Sequence, residues 1–78
     1  MPTVMRWNGY RFFWYQADGA EPPHVHIWKA GKECKIWIET GEIAFNRGHA
    51  AADSRTLIGA VAEYRPMLLE AWYEDFGR

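Results

Sequence analysis

Cysteine is nearly missing from this sequence: Cys34 is the single thiol among 78 residues. One cysteine supports neither an intrachain disulfide framework nor a multi-cysteine metal centre, and it suits a reducing compartment. Long apolar runs are missing too, since nothing approaches the roughly 20 residues that a bilayer-crossing helix needs. The start, Met1-Pro2-Thr3-Val4-Met5-Arg6, has no basic segment leading into an apolar stretch, so no secretion signal is expected. A cytoplasmic protein without membrane contact follows. Charge of one sign is also missing. The formal net charge is −1, which gives no strong global attraction to nucleic acid or anionic lipid. Length is short enough that one domain, residues 1–78, is expected, because two parts of such a chain could not each bury a core.

Aromatic residues are plentiful. Five Trp, four Tyr and four Phe each offer about 150–250 Å² for burial, enough for a few rings to supply most of a small core. The charge that is present divides weakly along the chain, with six Lys/Arg against five Asp/Glu up to Arg47 and three against five from Gly48 onward.

Patterning predicts an α+β domain: a small antiparallel sheet of four to five strands, with a C-terminal helix or kinked helix pair packed on it. Thr3 to Trp7 and Tyr10 to Gln16 flank Asn8-Gly9, the dipeptide best suited to a two-residue type I′ turn. In that register Trp7 faces Tyr10, Met5 faces Phe12 and Arg6 faces Arg11, and the second strand lies inside the sheet. Ala17 to Pro22 reads as a loop. His24 to Lys29 and Lys32 to Glu39 flank Ala30-Gly31, and alternation separates Val25, Ile27, Cys34, Ile36 and Ile38 from His24, His26, Trp28, Glu33, Lys35 and Trp37. A tight turn sets His26 near Lys35 and His24 near Trp37, although Ala30 suits positive φ poorly and a slightly longer loop would shift this pairing. Ile43 and Phe45 mark a short edge strand or an ordered loop. Leu57, Val61, Tyr64, Leu68, Trp72 and Phe76 recur at helical spacing. Asp53 or Ser54 is expected to cap the start, Pro66 to kink or split the helix near Tyr64 and Arg65, and Gly77 to end it.

Glu21-Pro22-Pro23-His24-Val25-His26 is the most unusual segment. Its prolines fix an extended approach, and the two imidazoles then project to one side. Three uses of that pair remain open: packing against Trp28 and Trp37, binding a partner or phosphate, or catalysis and metal ligation. Acid–base candidates are His24, His26 and Lys35, but no complete catalytic constellation can be identified, and Cys34 falls in the apolar set. Metal candidates are His24, His26 and His49, with Glu33 or Glu21 as other third donors. Arg47, beside Gly48 ahead of a helix, suits an anion. A partner surface would comprise His24, His26, Trp28, Trp37 and Arg47. No cofactor is expected; a protein partner is, a second copy included, and the alternative is RNA bound or cleaved by His24 or His26 with Lys35 or Arg47 on phosphate.

These residues resemble the bacterial domain of unknown function family 4160. The resemblance is carried by the Met1-Pro2-Thr3 start, the aromatic stretch ending at Tyr15, Glu21 to His26, Gly31-Lys32-Glu33, Lys35 with Trp37, Asn46-Arg47-Gly48 and Leu69-Glu70-Ala71-Trp72. It implies a small stand-alone protein associated with toxin–antitoxin-like modules, with an operon neighbour as the expected partner, and it brings no catalytic residue. Ala50-Ala51 stands where the family usually has Ser-Pro at its helix start, and Pro66 is a second departure.

Overall fold

The computed structural model describes residues 3–77. Five antiparallel strands run in sequence order across one sheet: β1 (Thr3–Trp7), β2 (Tyr10–Phe13), β3 (His24–Lys29), β4 (Lys32–Trp37) and β5 (Ile43–Arg47). Helices α1 (Ala51–Glu63) and α2 (Arg65–Phe76) follow, confirming the α+β architecture.

Two-residue turns set the register. Asn8 and Gly9 adopt φ of 50° and 82°, and Ala30 and Gly31 adopt 53° and 81°. Ala30 thus accepts the left-handed conformation despite its Cβ, and the pairing does not shift. Trp7 faces Tyr10, Met5 faces Phe12 and Arg6 faces Arg11, while His24 faces Trp37 and His26 faces Lys35.

One sheet face makes the core. Phe12, Trp14, Val25, Ile27, Cys34, Ile36 and Ile38 pack with Leu57, Val61, Leu68 and Trp72, all essentially sealed from solvent. Each such side chain contributes about 1.5–3 kcal/mol by leaving water. Burial, with Glu33 adding to it, pushes the Cys34 thiol up to about 12, so it stays protonated and inert.

Three boundaries differ from expectation, each for a local reason. β2 ends at Phe13 rather than near Gln16 because Tyr15 donates its backbone N–H to Asp18 Oδ2 at 2.9 Å, opening a short 3-10 helix over Gln16–Ala20. β4 ends at Trp37, not Glu39, because the Trp37 carbonyl accepts Gly41 N–H at 2.8 Å in the turn to β5. α1 begins at Ala51, ahead of Asp53 and Ser54, with Ala50 at the cap position and no side-chain cap. Asn46 ties that junction instead. Its Nδ2 donates to the His49 carbonyl at 2.9 Å and to Ser54 Oγ at 3.1 Å, and its Oδ1 accepts His49 N–H at 3.1 Å.

Pro66 splits the helices as expected, with Tyr64 at the break (φ −99°, ψ 15°) and the proline in the first turn of α2, where its missing N–H costs nothing. Arg65 Nε donates to the Ile38 carbonyl at 2.8 Å, docking α2 to the end of β4. Gly77 closes α2 in the left-handed region.

Candidate functional site

The face away from the core carries rows of side chains running across the strands. One row is Arg6, Arg11, Trp28, Glu33 and Arg47, one residue per strand in register. The next is Thr3, Phe13, His26, Lys35 and Phe45. His24 and Trp37 pair beyond it. The rows differ sharply in exposure. Trp28 is 43 % exposed and Arg6 and Arg47 are exposed, whereas His24 and His26 are buried.

Along the first row lies an open groove of about 390 Å³ lined by Arg6, Arg11, Phe13, Tyr15, Trp28 and Glu33. The Arg11 guanidinium sits 4.4 Å over the Phe13 ring, and Arg11 Nε donates to Thr3 Oγ1 at 2.8 Å. Arg47 likewise lies 4.6 Å over Phe45. Both contacts set a guanidinium against an aromatic ring of the adjacent row.

Beneath the 3-10 helix the two histidines meet Asp18. His24 Nε2 is 3.0 Å and His26 Nε2 is 3.1 Å from the same oxygen, Asp18 Oδ2. On the other side of each ring, His24 Nδ1 lies 2.9 Å from the Pro22 carbonyl and His26 Nδ1 lies 3.0 Å from Glu33 Oε2. Burial would push the Asp18 carboxyl up, but the Tyr15 N–H and the neighbouring His24 and His26 outweigh it and hold the group below its ordinary value. Aromatic rings wall the cluster. Trp37 and Trp72 stand 5.4 and 5.1 Å from His24, and Phe13 and Tyr15 stand 5.4 and 4.9 Å from His26.

The remaining candidates fall elsewhere. His49 is buried against Tyr10, with Nε2 3.2 Å from the Ile27 carbonyl, and is not part of the Asp18 cluster. Lys35 Nζ is engaged by Glu21 Oε1 at 2.6 Å and lies 4.7 Å over Trp37. That contact outweighs the upward push of desolvation and holds the Glu21 carboxyl below its usual range. Of the acid–base candidates, His24 and His26 adjoin each other, but both are shielded from a macromolecular substrate. Of the partner candidates, Trp28 and Arg47 are exposed.

Asp18 is the member that sequence reading missed, since Asp18-Gly19 reads only as a turn. Its signal was faint: a carboxylate a few residues ahead of a proline-fixed strand, on a loop too short to carry it far from the strand's first side chains. Among the described residues, Asp18, His24 and His26 form the one group of at least three His, Cys, Asp or Glu whose donor atoms all lie within 4.8 Å of one another.

A family model described as Domain of unknown function (DUF4160) matches residues 9–73. The chain belongs to this family. In this member of the DUF4160 family, the matched span holds the whole Asp18–His24–His26 cluster and most of the arginine–tryptophan row, Arg6 alone lying outside it. No curated protein and no solved structure matches the chain.

Proposed function

We propose that this DUF4160 member is a bacterial, cytoplasmic interaction protein, the component of a toxin–antitoxin-like module that binds an acidic protein partner through its helix-free sheet face. The observation that supports this reading is the cross-strand row Arg6–Arg11–Trp28–Glu33–Arg47, with Trp28 standing out of it. Arg6 and Arg11 stand directly opposite each other across β1 and β2, which concentrates like charge at this end of the row. Three guanidinium groups and one carboxylate leave the row with a local positive excess on a chain whose overall charge is −1. Trp and Arg are also the side chains that most often dominate interface energetics, because each contributes large contact area along with a directed polar group. A row this short touches few phosphates, so counterion release contributes little, which favours a protein over nucleic acid.

In this proposal Trp28 and Arg47 are contact residues, Arg6 and Arg11 join them, and Trp37 with the two histidines forms the layer beneath. The test is co-purification of the tagged chain with its operon neighbours at physiological salt. One neighbour is expected to remain bound in stoichiometric amount, and Trp28→Ala combined with Arg6→Glu should weaken it at least about 10-fold, as loss of a hot-spot residue does. A chain that elutes alone, or one that instead carries RNA released steeply by salt, would overturn the reading; the RNA outcome would establish Trp28 as a base-stacking platform.

A further inference from the structure

His24 and His26 are oriented by what they donate to. The Pro22 carbonyl can only accept a hydrogen bond, so His24 Nδ1, 2.9 Å away, carries a proton. The Glu33 carboxylate, 3.0 Å from His26 Nδ1, is an acceptor as well. In the neutral rings this leaves both Nε2 lone pairs turned toward Asp18 Oδ2, so three electron-rich atoms converge unless a proton or a metal ion lies among them. A proton satisfies such a contact only along the line joining nitrogen and oxygen. His26 Nε2 meets that condition, but His24 Nε2 does not: it lies 3.0 Å from the carboxylate oxygen, fully buried, and makes no hydrogen bond. A metal ion needs no such alignment, because it binds each lone pair from a point off the nitrogen–oxygen line.

We propose that Asp18, His24 and His26 form a binding site for a divalent transition cation of the zinc class. Bonds of about 2.0–2.2 Å to a tetrahedral ion put neighbouring donors roughly 3.3–3.6 Å apart, and the two nitrogen–oxygen separations of 3.0 and 3.1 Å need to open by only a few tenths to reach that. Two imidazoles and one carboxylate suit a borderline cation better than magnesium or calcium, which take oxygen donors. The outer arrangement also fits, because a ligating histidine normally passes its second ring N–H to a carbonyl or carboxylate, as Pro22 and Glu33 provide here. Sequence dictates each part. Pro22-Pro23 places the carbonyl, strand alternation puts both rings on one side, and the 3-10 turn delivers Asp18. Three protein donors leave a fourth position for water or an exogenous ligand. The three donors lie outside the partner row, which the site touches only through Glu33, and binding requires no partner.

Chelator-stripped full-length chain titrated with zinc chloride tests this, with cobalt(II) as the visible-absorbing probe. One equivalent is expected to bind, to raise Tm and to give the absorption of a four-coordinate cobalt site. Asp18→Asn and His26→Gln should each weaken binding by at least about 100-fold, and Glu33→Ala by about 10–100-fold, as loss of an outer partner does. His49→Gln should leave affinity unchanged. Absence of saturable binding, or binding that survives both Asp18→Asn and His26→Gln, would overturn the proposal. Should those variants fail to fold, nitrogen-15 shifts of the wild-type imidazoles decide the matter: zinc must move Nε2 of His24 and His26 and leave His49 in place, and the reverse pattern refutes the site.

Discussion

The two faces of the sheet use the same strands, one residue out of step, and are held in opposite ways. On one side Phe12, Val25, Ile27, Cys34 and Ile36 vanish under the helices, and their contribution is apolar area taken from water. On the other, Arg11, Phe13, His26, Glu33 and Lys35 are held by pairing: guanidinium on ring, imidazole on carboxylate, ammonium on Glu21. The first face tolerates no loss of volume. The second depends on direction and charge, and its outer row remains accessible. A chain of this size thus assigns cohesion to one surface of the sheet and leaves charged and aromatic side chains accessible on the other, and period-two alternation is enough to keep them apart.

The sharpest way to break this contrast is to cut volume on the sealed side. Phe12→Ala should cost about 3–5 kcal/mol through lost transfer energy and the cavity left behind, a large fraction of the roughly 5–15 kcal/mol that stabilises a whole domain. Urea denaturation measures it, and a cost below about 1 kcal/mol would mean that the core is not where the packing places it.

Next in size is the charge side. Asp18 is held below its ordinary value in the folded chain, so the stability it contributes is complete above the unfolded carboxylate value of 3.8 and is lost as pH falls through the lower folded one. Asp18→Asn should remove on the order of 2 kcal/mol at neutral pH, the scale of a hydrogen bond to a charged group. Its denaturation curve should converge with that of the wild type in strong acid, and two curves separated equally at all pH values would refute the assignment.

A smaller effect should run the other way. Ala30 sits at φ 53°, where an L side chain costs about 1–2 kcal/mol, and Ala30→Gly should recover about 1 kcal/mol without altering either face. Smallest of all, Trp28→Ala should change stability by no more than about 0.5 kcal/mol, as exposed substitutions do, while disabling partner capture. A large destabilisation there would erase the distinction between the faces.

Much of this architecture was legible residue by residue. Asn8-Gly9 and Ala30-Gly31 fixed two hairpins, alternation sorted the second hairpin into its faces, and Pro66 marked the helix break, because each of these is a local rule acting on neighbours in sequence. What escaped was governed by distant or side-chain partners. Asp18 shortens β2 by capturing the Tyr15 N–H, and Asn46 replaces a helix cap by reaching three separate groups. Neither event leaves a periodic trace. The histidine pair was visible, but its third companion was not: His49 carried the more suggestive chemistry, and only folding shows it bonded toward Ile27 on the far side of β3.

The contact between Gly19 and Phe76 gives the Asp18 turn an unexpected gauge. A Cβ at Gly19 would come within 2.5 Å of the Phe76 ring, so the backbone next to the carboxylate rests directly on the last turn of α2. Trp14, donating to Asp75 at 2.8 Å, anchors that turn from the other side. The height of the carboxylate above the imidazoles is therefore calibrated by the tail of the chain, and fraying of α2 would loosen the turn like a doorstop withdrawn.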